Sequence, residues 1–282
     1  MTLDPGTSTL DFSRGGYIRL LGEFDAAACE AISVSNGIRA TETTWVRGHV
    51  DRIFTRMACH LVTLMSAAPL SPWVSKEFEV WDFAEVAGHV RAIMEGYILF
   101  EYLATSTGDK VIEQAVAHQI FLYDCTTRLE RLGAVLGEDD KKGLKSEQVR
   151  IRGVLESNAH FKSLPHRQRE KLLEGKTLTL SSRDKLLDKF NIEREDFYLL
   201  WDLTSQQMHI LSMAFMRMES EGRGTGAEND TDRFYIFFSL SYCLELVKRA
   251  TKRMVELYPE LAKRCQGVNS IFSPGPKRNQ PR

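Results

Sequence analysis

The stretch "YLLWDLTSQQMHILSMAF", residues 198 to 215, gathers the side chains of widest chemical range onto one face of a predicted helix. Asp202, Ser205, Gln206, His209 and Ser212 recur at steps of three and four residues. That spacing sets them in one narrow sector, joined by Met213 and Met216. Leu199, Leu200, Leu203, Ile210, Leu211, Ala214 and Phe215 cover most of the remaining circumference. An imidazole beside carboxylate and hydroxyl groups has the make-up of a general acid/base, because histidine as a residue type titrates near neutral pH. The plainer alternative is a solvent-facing stripe or a structural hydrogen bond to a neighbouring helix. If the stripe is buried, every group in it must be hydrogen-bonded, since an unpaired one costs about 1–3 kcal/mol.

A second polar interruption lies in "RAIMEG". Arg91 and Glu95 are four residues apart, share a face, and break a helix that is otherwise apolar nearly all round. Buried charges are expensive unless paired, so the two are expected to bond each other or a facing helix. In a catalytic reading Arg91 holds an anion while Glu95 orients His209. Glu85 and His89 have the same spacing on a sector expected to be exposed.

Other constellations are incomplete. Gly222, Gly224 and Gly226, with Arg223, precede a helix N-terminus, where anions bind. They follow a helix, however, whereas the dinucleotide-binding and P-loop motifs follow a strand, so the expectation is a flexible helix–helix linker. A di-iron bundle needs E-x-x-H pairs, and Glu85/His89 and Glu156/His160 are each one residue too long. H-E-x-x-H and G-x-S-x-G do not occur, so no metal, cofactor or hydrolase elbow is expected.

The elements that must position these residues are helices throughout. Apolar residues follow helical periodicity, and only "KTLTLSS" (176 to 182) alternates as a strand would. The expected fold is all-α: an antiparallel bundle of long helices with a charged, short-helix insertion. Residues 1 to 20 read as irregular, 21 to 262 as one bundle domain with the insertion near 138 to 192, and 263 to 282 as a disordered basic tail. Helices are predicted near 22–36, 42–67, 82–104, 109–136, 138–157, 193–220 and 229–258. Asp230 or Thr231 is expected to cap the last, and Ser181 with Asp184 resembles a capping box.

Composition narrows the class. The formal net charge of -1 provides no global field for nucleic acid or an anionic membrane. Only the tail, with Lys277, Arg278 and Arg282, offers weak nucleic-acid contact. Five dispersed cysteines without C-x-x-C favour a reducing cytosol. There is no signal-peptide pattern, and the run from Phe234 to Leu244 is far short of the roughly 20 residues that span a bilayer.

Several separated pieces together resemble one family: "VRAIMEGYILFEYL", "LPHRQREKLLEG" with "SRDKLLDKFNIEREDFYLLWDLTSQQMH", and "MRMESEGRGTGAENDTDRFYIFFSLSYCLELVKRATKRM". They resemble uncharacterised bacterial all-helical proteins with an R-x-x-x-E helix, a later S-x-x-x-H helix and a Gly-rich turn. Here these are Arg91 and Glu95, Ser205 and His209, and Gly222 to Gly226, across residues 80 to 258. The resemblance implies a helical fold without an assigned reaction. It extends distantly to HEPN domains, many of them ribonucleases with R-x4-6-H on one helix. None of the seven histidines has an arginine five to seven residues upstream, Arg56 to His60 being one residue short.

Two functions follow as expectations. One is a cytosolic binding or regulatory module with a polar site between two core helices. The other is a hydrolase acting on nucleic acid or nucleotides, with His209 as acid/base and Arg91 on phosphate. A protein partner or homo-oligomer would use exposed aromatics such as Trp73, Trp81 and Tyr198.

Overall fold

The computed structural model describes residues 11–38, 43–216, 218 and 222–272. Among these every regular element is helical, so the protein is all-α. Inter-residue contacts divide the chain into two compact units, one of residues 1–42, 51–101 and 190–282, the other of 43–50 and 102–189.

The first unit is built on α1 (Arg14–Gly37), most of α2 (Trp45–Ala67) and α3 (Ala84–Ala104), with α9 (Arg194–Met208), α10 (Ser212–Phe215) and α11 (Asp230–Leu257). Helix α1 starts eight residues before the expected position, inside the supposedly irregular segment. Ser13 caps it, its hydroxyl accepting from Gly16 N–H at 3.2 Å. A Cβ on Gly16 would lie 1.7 Å from the Asp11 carbonyl, so the second glycine of "RGG" permits the turn that enters the helix. Tyr17, Leu21 and Phe24 are then buried, which a coil would leave in water.

Contacts along the helices fix their directions. Tyr17 Oη donates to Pro69 O and Ser35 pairs with Thr55, so α1 and α2 run antiparallel. Phe54 packs on Phe100 and His60 meets His89, so α2 and α3 are antiparallel as well. Helix α11 runs parallel to α1 and α3: Phe12 meets Phe234, Lys248 meets Glu23, and Arg253 Nε donates to Glu101 Oε2 at 3.2 Å. Helices α1, α2 and α3 are thus antiparallel in turn, and α11 returns in the sense of the first.

The glycine turn before α11 is tied down rather than loose. Arg223 donates through Nε and Nη2 to Asp232 Oδ1 at 3.1 and 3.0 Å, with side-chain exposures of 4% and 1%. The same carboxylate accepts from Phe83 N–H and from Asn229 Nδ2. Gly222, Gly224 and Gly226 all have positive φ, which lets the chain fold back so that Trp81 N–H reaches Gly226 O at 2.9 Å. Asn229, rather than Asp230 or Thr231, caps α11, accepting from Asp232 N–H at 2.8 Å.

The second unit holds α4 (Lys110–Leu132), α5 (Glu138–Ser157), α6 (Ala159–Ser163), α7 (His166–Leu173) and α8 (Arg183–Lys189). Asp109 caps α4, and α5 buries only Ile151 and Leu155, as its charge predicts. Helix α8 begins at Arg183, so Ser182 rather than Ser181 flanks it. The alternating segment 176 to 182 forms no strand. Side chains satisfy its backbone instead: Gln119 donates to Thr177 O, Gln168 to Leu180 O, and Leu180 N–H donates to Tyr102 Oη.

No helix among the described residues is long and apolar enough to cross a membrane. The tail cations Lys277, Arg278 and Arg282 lie outside the described residues, whereas Arg264 sits in a 3-10 turn and donates to Ser33 O.

Asp232→Ala leaves the Arg223 guanidinium buried without its carboxylate. We expect a loss of about 3–5 kcal/mol in urea unfolding, partly recovered when Arg223→Met is added. Equal stability of wild type and the single variant would contradict this role.

Candidate functional site

Arg91, on α3, is the centre of the polar cluster. Its side chain is 15% exposed and lies over the Trp201 ring of α9, with Cζ 2.9 Å from the ring centroid. Nη1 donates to Ser205 Oγ at 2.7 Å and to Trp201 O at 2.8 Å, while Nε donates to Glu95 Oε1 at 2.6 Å. Ser205 Oγ accepts from Arg91 and donates to Trp201 O at 2.8 Å. One expected pair, Arg91 and Glu95 of α3, therefore meets Ser205 of α9, through Arg91.

Glu95 is half exposed, so the cluster opens to solvent on one side instead of lying inside the bundle. Its carboxylate holds Arg91, not His209. Among the described residues, the hydrogen bonds of Arg91 run through Nε and Nη1.

His209 stands apart from this cluster and is exposed, so it takes no place in a polar site between the two core helices. Helix α9 ends at Met208 rather than near 220, leaving His209 as the exposed C-cap. Ile210 N–H bonds Gln207 O, Leu211 N–H bonds Gln206 O at 2.9 Å, and Ile210 has φ of 49°. This is a Schellman close, with a β-branched residue in the left-handed position that glycine normally takes. Thr204 and Ser205 both donate to Trp201 O, and such side-chain bonds compete with the helical ladder one turn before the stop. Beyond the stop, Ser212 opens the short α10, so the periodic stripe does not continue on one axis. Asp202 is exposed and Gln206 half-buried.

The stop also lays apolar side chains bare. Met208, Ile210, Leu211, Phe215 and Met216 are all exposed, Ile210 by 73%. The aromatics expected at an interface behave differently: Trp81 is 3% exposed, and half-buried Trp73 donates from Nε1 to Asp25 Oδ1 at 2.8 Å. Tyr198 is half-buried.

Arg223 is directed inward onto the Asp232 carboxylate, not outward toward an anion from solvent. Two residues to which the sequence reading gave no site role matter here. Trp201 supplies the platform and the acceptor for Arg91, and its position four before Ser205 was the available signal. His60 faces His89 across α2 and α3, Nδ1 to Nδ1 at 3.1 Å, a pairing that depends on helix register and left no local mark.

Against known proteins, no family model, no curated protein and no solved structure matches the chain.

The geometry makes Arg91 a clamp for α9. Arg91→Ala is expected to lower stability by about 1.5–3 kcal/mol in urea unfolding, the range for hydrogen bonds to a charged group. Arg91→Lys should recover little of it, lacking the planar fork and the stacking surface. His209→Ala should stay within about 0.5 kcal/mol of wild type, as at other exposed sites. A His209→Ala loss as large as that of Arg91→Ala would sink this assignment.

Proposed function

We propose that the chain is a cytosolic interaction module of the HEPN-like bacterial group it resembles, contacting a polypeptide partner through Met208–Met216. The observation that carries this reading is Ile210. A left-handed backbone costs a non-glycine residue roughly 1–2 kcal/mol, and here that residue is β-branched and exposed to water. Folding of the isolated chain gains nothing from such a side chain. A contact that covers it does. Strained residues of this kind concentrate where structure serves recognition, and contiguous exposed apolar surface marks interaction sites.

The polar cluster supports the surface. Arg91, Glu95, Trp201 and Ser205 hold the last turn of α9 against α3, so the apolar stretch begins from an anchored end. The partner presents an apolar face of low charge. A second copy of this chain meets that description, since a net charge of -1 offers no self-repulsion. Five free cysteines accord with the cytosol. A hydrolase would need Arg91 and His209 at one substrate. Arg91 instead holds Trp201 O and Ser205, and His209 caps the helix end from outside.

The test is Ile210→Gly, which removes the side chain and the backbone cost together. Its stability should equal or exceed wild type by up to about 1 kcal/mol. Association should fall, read by light scattering of the purified chain and by in-cell crosslinking from a photoreactive residue at position 211. A dimer, or a crosslinked partner identified by mass spectrometry, that disappears in Ile210→Gly and Phe215→Ser supports the reading. A monomer without a crosslinked partner, or association indifferent to both substitutions, overturns it.

A further inference from the structure

We infer that His60 and His89 form a two-histidine chelate for a divalent transition-metal ion of the zinc and copper type, bridging α2 and α3. The two rings meet through Nδ1 atoms 3.1 Å apart, with ring planes 49° from each other. Metal–imidazole bonds of about 2.0–2.1 Å at a tetrahedral angle separate two nitrogens by about 3.3–3.4 Å. At the observed spacing the bite angle is about 100°, inside the range such ions accept. A hydrogen bond explains the distance when one Nδ1 carries a proton and the other accepts it.

The surroundings suit an ion that exchanges with solvent. Both rings are half-buried, so one side stays open to water ligands. Burial lowers the basicity of both imidazoles, and the neighbouring His89 and Arg56 lower that of His60 further. Both shifts favour the neutral imidazole, the form that ligates. Glu85, exposed and one turn before His89, adds a carboxylate to the same stretch of α3. Arg56, exposed and one turn before His60, opposes the cation.

Among the described residues no cluster of three or more metal-ligating side chains occurs. Two protein ligands with water completing the sphere define a reversible site, unlike the closed four-ligand sites that fold zinc domains. On binding, the proton on the donor Nδ1 moves through solvent to the Nε2 of the same ring. Both Nδ1 lone pairs then reach the ion, and no net proton is released. Because the ligands come from two helices, the ion stabilises the folded chain by mass action.

The test is calorimetric titration of Zn2+ into the full chain, with thermal unfolding in parallel. One ion per chain and a raised Tm are expected. His60→Ala and His89→Ala should each weaken binding at least tenfold and abolish the Tm rise, with His60→Gln and His89→Gln guarding against simple loss of packing. Arg56→Ala should bind more tightly. Cys59→Ala, beside His60, and His118→Ala, in the other unit, should bind as wild type. Unchanged isotherms in the His60 and His89 variants, or loss of binding in Cys59→Ala, would overturn the proposal.

Discussion

A guanidinium withdrawn from water must find acceptors in fixed positions, and the first unit is organised around two that do. Arg223 and Asp232 form the deeper pair. Their carboxylate also takes the Phe83 N–H at the entry of α3 and the Asn229 amide at the entry of α11. One oxygen pair therefore brings together the starts of two helices and the turn that leads into the second. The parallel run of α3 and α11 follows from that shared origin. Parallel neighbours cannot be joined by a short hairpin, and this chain separates them with α4 to α10.

Arg91 repeats the logic nearer the surface. Its acceptors are a helix carbonyl and a hydroxyl on α9, and its face rests on Trp201. The clamp ends one turn before the helix does. Past it, Ile210 takes a conformation suited to glycine, and the chain turns away with its apolar residues uncovered. A firm anchor followed directly by a strained, apolar stop gives the surface a defined shape, as the proposed partner would require. Preorganisation of this kind reduces the ordering cost of association.

Both the histidine pair and the arginine clamp lie at helix–helix crossings, and both illustrate how an i, i+4 reading misleads. Glu85 with His89, and Ser205 with His209, look like sites because they share a helix. In the folded chain His89 meets His60 of another helix, and Ser205 meets Arg91. The chemistry belongs to the crossing, not to the stripe.

Helical periodicity in the sequence was enough to determine an all-α chain, the spans of α3 and α5, and the polar pairing of Arg91 with Glu95, since these depend on neighbours within five residues. It also pointed to Ser205 on the facing helix. What it misplaced had longer-range causes. The start of α1 rests on an Asp11–Gly16 approach closer than any side chain allows. The stop of α9 rests on backbone strain at Ile210, which no propensity favours. His209 therefore left the cluster, and Trp201 and His60 entered their sites only when the helices packed. Register between helices is set by how whole faces interlock, and that information is spread over residues too distant to read as a pattern.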